Sequence, residues 1–199
     1  MKKLTPYYIK LIKNNIDFYF NASTKKEQQD GKQWYIKAQN FVEETALNYA
    51  YSFDVVAGVL SALSPRNKWE QNKKDCITVL NAVNNGISPE DVKVCTFHKN
   101  KFKAFGIAKG NVKITEDSQK TYSFINNIAY LDNKYVTIDI WALRACFNKT
   151  ISIKSATIGK TAYKQITNIF LEKSQEYDIK GFELQAILWL TAQRLYSYD

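Results

Sequence analysis

The chain has 199 residues, 45% hydrophobic and 24% charged, a globular composition that excludes an intrinsically disordered chain. Three prolines and seven glycines are few breakers for this length, which favours long helices over a many-turned β architecture. The net charge of +9 suits a polyanionic partner as well as it suits plain solubility, and a single histidine, His98, excludes any site built on two imidazoles.

Pro6 opens a predicted helix from about Tyr7 to Phe20, with Tyr8, Leu11, Ile12, Ile16 and Tyr19 spaced along one face. Asn21 to Lys32 reads as a polar link. A second helix, Gln33 to Tyr49, carries Trp34, Ala38, Phe41, Val42, Thr45 and Ala46 inward. Asp54 is expected to cap the helix Val55 to Leu63, which is apolar all round and so belongs at a centre. Ser64-Pro65-Arg66-Asn67 breaks it, and another helix spans Trp69 to Asn84. Ser88, followed by Pro89, starts a short helix, and Phe97 to Phe105 forms a basic one.

Residues 114–121 offer several N-caps to a helix with Tyr122, Ile125, Ile128 and Ala129 inward. Asp132-Asn133-Lys134 ends it, Tyr135 to Ile138 is extended, and Asp139 stands at the start of a helix from Ile140 to Phe147. Helices from Gly159 to Tyr177 and Phe182 to Tyr196 complete an all-α fold. The alternative places strands at Tyr135–Ile140 and Ile151–Ile153, both too short to found a sheet. Two blocks are expected, N-terminal helices at 1–52 packing on a helical core at 53–199.

Cys76, Cys95 and Cys146 show no Cys-x-x-Cys spacing and read as small buried hydrophobes, not as a disulfide, zinc or iron–sulfur set. No apolar run approaches about 18 residues, and the first residues lack a signal-peptide stretch, so a cytoplasmic protein without a membrane partner is expected.

Four segments carry more specific information: residues 58–72 (GVLSALSPRNKWEQN), 118–127 (SQKTYSFINN), 136–144 (VTIDIWALR) and 182–194 (FELQAILWLTAQR). In this order they resemble the helix-hairpin-helix DNA glycosylase superfamily that includes endonuclease III, over roughly residues 53–195. They are also similar to a set of phage proteins on the same plan. Asp139 follows Lys120 by 19 positions (139 − 120), close to the family's lysine-to-aspartate spacing.

The resemblance implies a bilobed all-α monomer that binds double-stranded DNA and excises a damaged or modified base by flipping it out, with or without lyase activity. Asp139 would stabilise the oxocarbenium-like sugar, and Lys120 would be the amine that attacks C1′ to form a Schiff base. Such an amine is best placed at a helix start in a partly buried pocket. Leu63, Ser64 and Arg66 occupy the place of the wedge that fills the vacated stack, Trp69 and Asn72 that of the base pocket, and Arg144 can meet a phosphate or an acid. Lys109, Lys113, Ser118, Gln119 and Thr121 would follow the DNA backbone, with Lys99, Lys101 and Lys103 in the same basic stretch. The family's paired glycines before the lysine are replaced by Thr115 to Gln119, leaving Gly106 and Gly110 as the nearest glycines. The cluster-binding cysteines have no counterpart, so no cofactor and no metal is implied.

Each residue also has an ordinary reading. Asp139 fits a plain N-cap, Lys120 a solvated lysine, the Ser64–Asn67 stretch a helix end, and Trp69 a core position, as do Trp141 and Trp189. Two other functions fit the same residues. One is a DNA-binding protein that keeps the scaffold without the chemistry, serving in phage–host conflict. The other is a protein-binding inhibitory module that uses the 13 tyrosines.

Overall fold

A computed structural model describes residues 1–148 and 158–196. It contains nine α-helices and no strand among those residues, so the protein is all-α. The chain separates into two compact units, one made of Met1–Lys37 with Leu131–Asp199 and the other of Ala38–Tyr130. A cut after residue 52 therefore does not follow the packing. The first helices associate with the last three, and the boundary at Lys37 falls inside a helix where the sequence offers no linker to mark it.

In the first unit, α1 (Pro6–Asn21) is started by Thr5, whose hydroxyl accepts from the Tyr8 amide, with Pro6 at the first helical position. Its buried face, Ile12, Ile16 and Tyr19, packs on α7 (Ile140–Phe147), α8 (Lys160–Glu176) and α9 (Gly181–Tyr196). Phe147, Ile166, Phe170, Leu184 and Leu188 fill the rest of that core.

Helix α2 (Lys25–Tyr49) begins eight residues earlier than expected, which removes most of the polar link. The reason is a capping box. The Glu27 amide donates to Thr24 Oγ1 at 3.1 Å, and Glu27 Oε2 accepts from the Thr24 amide at 2.8 Å. The same carboxylate receives both Nε and an Nη of Arg194 from α9, at 2.7 and 3.0 Å. Close by, Gly31 lies so near α9 that a Cβ there would fall 2.8 Å from the Ile187 amide nitrogen.

The Arg194 guanidinium holds the Glu27 carboxyl below its ordinary value near 4.5. Its contribution to stability is therefore complete above that value and is lost as pH falls through the lower folded value. Glu27→Gln is expected to cost about 1–2 kcal/mol at pH 7. It should also flatten the loss of melting temperature below pH 4.5; an acid limb as steep as that of the natural chain would refute this role.

In the second unit, the latter half of α2 contributes Ala38, Val42 and Ala46 to the core. Helix α3 (Phe53–Leu63) is buried from Val56 to Leu63 and packs on α4 (Trp69–Asn84), α5 (His98–Ala108) and α6 (Gln119–Tyr130). Its all-round apolar sequence does place it at the centre of this unit. Ser52, not Asp54, is its N-cap, accepting from the Val55 amide at 3.4 Å. Asp54 instead bonds the Tyr130 phenol of α6, and burial together with that bond pushes the phenol up to about 12. The short helix after Ser88 is a single 3-10 turn, Pro89–Asp91.

Cys76 and Cys146 are buried, which pushes both thiols up, whereas Cys95 is exposed rather than buried. Tyr135–Ile140 forms no strand; the alternative strand at Ile151–Ile153 lies outside the described residues. Among the described residues, no single helix is long and apolar enough to cross a membrane.

Candidate functional site

The turn between α3 and α4 is held from beneath by Asp75. This carboxylate is 3% exposed and accepts hydrogen bonds from Asn67 Nδ2 (2.8 Å), Gln71 Nε2 (2.8 Å) and the Cys95 amide (2.9 Å). These donors are neutral, so the buried charge is compensated by dipoles rather than by a cation. Asn67, Gln71 and Asp75 recur every fourth residue, Gln71 and Asp75 on one face of α4 and Asn67 in the turn before it.

The effect is to bind residues 64–68 to the segment leading into α5. Arg66 sits exposed in left-handed backbone (φ 59°), a conformation few non-glycine residues adopt without a surrounding constraint. Its guanidinium lies 5.4 Å from the centroid of Phe97, a ring 45% exposed just before α5. Lys68, Lys93, His98 and Lys99 are exposed on the same two segments. Phe97 was not singled out from the sequence, where it reads only as a helix start.

The other residues expected at this turn have structural positions. Leu63 is fully buried in the core and is no wedge. Ser64 is half-buried, its hydroxyl donating to the Ser61 carbonyl at 3.0 Å. Asn72, 1% exposed, donates to the Leu60 carbonyl at 3.1 Å and so ties α4 to α3 instead of facing a base. Trp69 is half-buried, its ring edge-on to Phe41 at 6.4 Å.

The segments read from the sequence as the hairpin are α5, α6 and the loop between them. The loop amides turn inward. Gly110 donates to Ile107, and Asn111 and Val112 both donate to the Gly106 carbonyl at 2.8 and 3.0 Å, closing the end of α5. Gly106 and Gly110 therefore do not present amides to a phosphate. The Ser118 amide is likewise occupied by the Thr115 carbonyl, and exposed Glu116 and Asp117 precede α6, an unfavourable setting for an anion. Gln119 and Thr121 are half-buried.

What the hairpin exposes is lysine side chains, namely Lys109, Lys113 and Lys120. Lys101 is buried, with its ammonium on the Val92 carbonyl at 2.9 Å, and drops out of the basic surface. Lys120 is the second residue of α6 and is exposed rather than partly buried. A cleft of about 440 Å³ beside the hairpin is lined by Asp54, Gly58, Ile107, Lys113, Tyr122 and Asn126, but not by Lys120, Trp69 or Asn72.

Asp139 and Arg144 belong to the first unit. Asp139 is half-buried at the N-terminus of α7, where Oδ1 accepts from the Trp141 amide (3.0 Å) and the Ala142 amide (2.8 Å). The expected cap is therefore present, and it fixes the orientation of the carboxylate. Five residues further on, the Arg144 guanidinium lies 4.1 Å from the Trp141 ring centroid and 5.7 Å from that of Tyr196. Trp141 serves that stack and is half-buried, as is Trp189, so neither is a fully buried core residue.

The fold and these clusters define an all-helical protein of two compact units with an aspartate fixed at a helix start. The chain belongs to DUF7178, a family of unknown function, which matches residues 1–195. No curated protein and no solved structure matches it.

Proposed function

We propose that the protein is a DNA N-glycosylase on the helix-hairpin-helix plan, with Asp139 stabilising the positive charge that develops on the sugar as the base departs. The observation that carries this reading is the Asp139 carboxylate. One oxygen is held by two backbone amides, so its position is set before substrate arrives, which is what electrostatic stabilisation of a transition state requires. The order and spacing of the four resembling segments support it, as do the all-helical fold and the charge of +9.

Base extrusion needs a side chain to occupy the vacated stack. Leu63 is buried and cannot serve; within its own unit the exposed side chains at that turn and at the start of α5 are Arg66 and Phe97, whose segments Asp75 joins. Backbone affinity comes from exposed Lys99, Lys109 and Lys113, so it falls steeply with salt. Because Lys120 stands exposed, hydrolysis by water is the favoured route and the Schiff-base route the subsidiary one.

A second reading, DNA binding without chemistry, is favoured by one observation. The hairpin amides are spent inside the protein and two acids precede α6.

Duplexes carrying a panel of damaged and modified bases separate the two readings. Release of free base from at least one duplex is expected, without a borohydride-trapped adduct. An adduct that vanishes in Lys120→Ala would instead establish the Schiff-base route. No base from any duplex, with salt-dependent binding retained, would leave the second reading standing.

A further inference from the structure

We propose that two buried tyrosines, Tyr163 and Tyr35, are positioning residues for the Asp139 carboxylate. The catalytic meaning of this rests on the glycosylase reading; the geometry does not. All of the residues involved belong to one unit, Met1–Lys37 with Leu131–Asp199.

Residues 136–138 lead directly into Asp139. They are buried, with Val136 fully so and Thr137 and Ile138 at 5% and 4% exposure, and none of the described residues forms a strand beside them. A buried backbone outside a helix must have its polar groups satisfied, and a sheet would ordinarily do it. Here one phenol replaces the neighbouring strand. The Tyr163 oxygen of α8 accepts from the Ile138 amide at 3.1 Å, and its O–H donates to the Val136 carbonyl at 3.0 Å.

The residue between is held by the second phenol. Tyr35 of α2 donates to Gln185 Oε1 of α9 at 2.7 Å, and its oxygen is hydrogen-bonded by the Thr137 side chain. Thr137 is thereby a neighbour of the same phenol that Gln185 holds. Burial, with a smaller effect from the charge of Asp139, pushes the Tyr35 phenol far above its ordinary value, so it stays a neutral donor. Asp139 then closes the path, its amide donating to the Thr137 carbonyl at 3.2 Å while its carboxylate caps α7.

Each of residues 136 to 139 thus has a hydrogen-bonding partner within the unit. Neither phenol contacts the reacting atoms in this arrangement; both act through the backbone that carries the carboxylate. Misplacing a catalytic group by about 1 Å costs on the order of 100-fold in rate. Support that locks the rotamer and backbone of such a group is what keeps it within that tolerance.

The test uses the full chain with Tyr163→Phe and Tyr35→Phe, which keep the rings and remove the hydroxyls. Two readouts are needed. One is NMR of the Asp139 carboxyl carbon through a pH titration, together with the Trp141 and Ala142 amide signals. The other is single-turnover base release alongside DNA affinity and melting temperature.

Tyr163→Phe is expected to slow base release roughly 10- to 100-fold, with DNA affinity within about threefold. It should also move the Asp139 midpoint and both amide signals. Tyr35→Phe should do the same to a lesser degree. Unchanged signals in both variants, or a rate that falls only by the fraction unfolded, would overturn the proposal. If the natural chain releases no base at all, the glycosylase reading fails and the NMR readout alone decides the positioning. Should Tyr163→Phe not fold, Thr137→Val cuts the Tyr35 link with little change of volume and is read in the same way.

Discussion

Asp139→Asn should release base at least about 100-fold more slowly than the natural chain while melting within a few degrees of it. The separation of the two effects follows from the cap. Asparagine presents the same amide-accepting oxygen and is as good an N-cap as aspartate, so the Trp141 and Ala142 amides keep their partner and α7 keeps its start. What disappears is the negative charge, whose largest effect comes when a positive charge grows on the sugar. Asp139→Ala removes both the cap and the charge, and should add about 1 kcal/mol of destabilisation to the same kinetic loss. Single-turnover base release and a thermal melt on the three proteins are sufficient. Equal rates for the natural chain and Asp139→Asn would reduce Asp139 to its ordinary role as a cap.

The second large effect is on stability. Asp75→Ala is expected to cost about 3–4 kcal/mol, a drop of roughly 6–16 °C in melting temperature for a chain of this size. The substitution strands the Asn67 and Gln71 amides and the Cys95 N–H, and it leaves a void where a buried carboxylate stood. Asp75→Asn should fall between, since it keeps an acceptor but turns an NH₂ toward groups that are themselves donors. Urea denaturation of the three proteins ranks them directly. A cost for Asp75→Ala below about 1 kcal/mol would mean that water replaces the carboxylate without penalty. The loss should also free Arg66 from Phe97, since the hydrogen bonds that join their two segments pass through Asp75.

Helix positions were legible where the sequence carries both a period and a terminator. The span Trp69–Asn84 is found to the residue, and α7 begins directly after Asp139 as its capping side chain dictates. The start of α2 was missed because Thr24-Lys-Lys-Glu27 lies in a strongly polar stretch. Polarity suggests a link, yet the threonine-to-glutamate spacing marks a helix start. Asp54 misled in the opposite way, since Ser52, two residues earlier, had an equal claim to the cap and took it.

The site was less legible because its residue types do not reveal which way they face. Leu63 at a helix end and Lys101 in a basic run look exposed in sequence. Each is buried, and Lys101 spends its ammonium on the Val92 carbonyl nine residues before it. Phe97, Tyr35 and Tyr163 went unnoticed because their partners, Arg66, Gln185 and the Val136–Ile138 backbone, lie 25 to 150 positions away in the sequence.

The first unit is assembled from both ends of the chain, and this fixes an order of events during synthesis. The Leu4 amide finds its acceptor on Gln165, 161 residues later, and the buried face of α1 packs on α7, α8 and α9. Residues 38–130 hold the whole of the second unit and can collapse as soon as they leave the ribosome. Meanwhile Ile12, Ile16 and Tyr19 must wait in solvent, at ordinary elongation rates for roughly 10–30 s, until their counterparts are made. A nascent chain arrested once Tyr130 has cleared the ribosomal exit tunnel should accordingly protect the middle of the protein from protease while leaving α1 open to cleavage and to capture by chaperones.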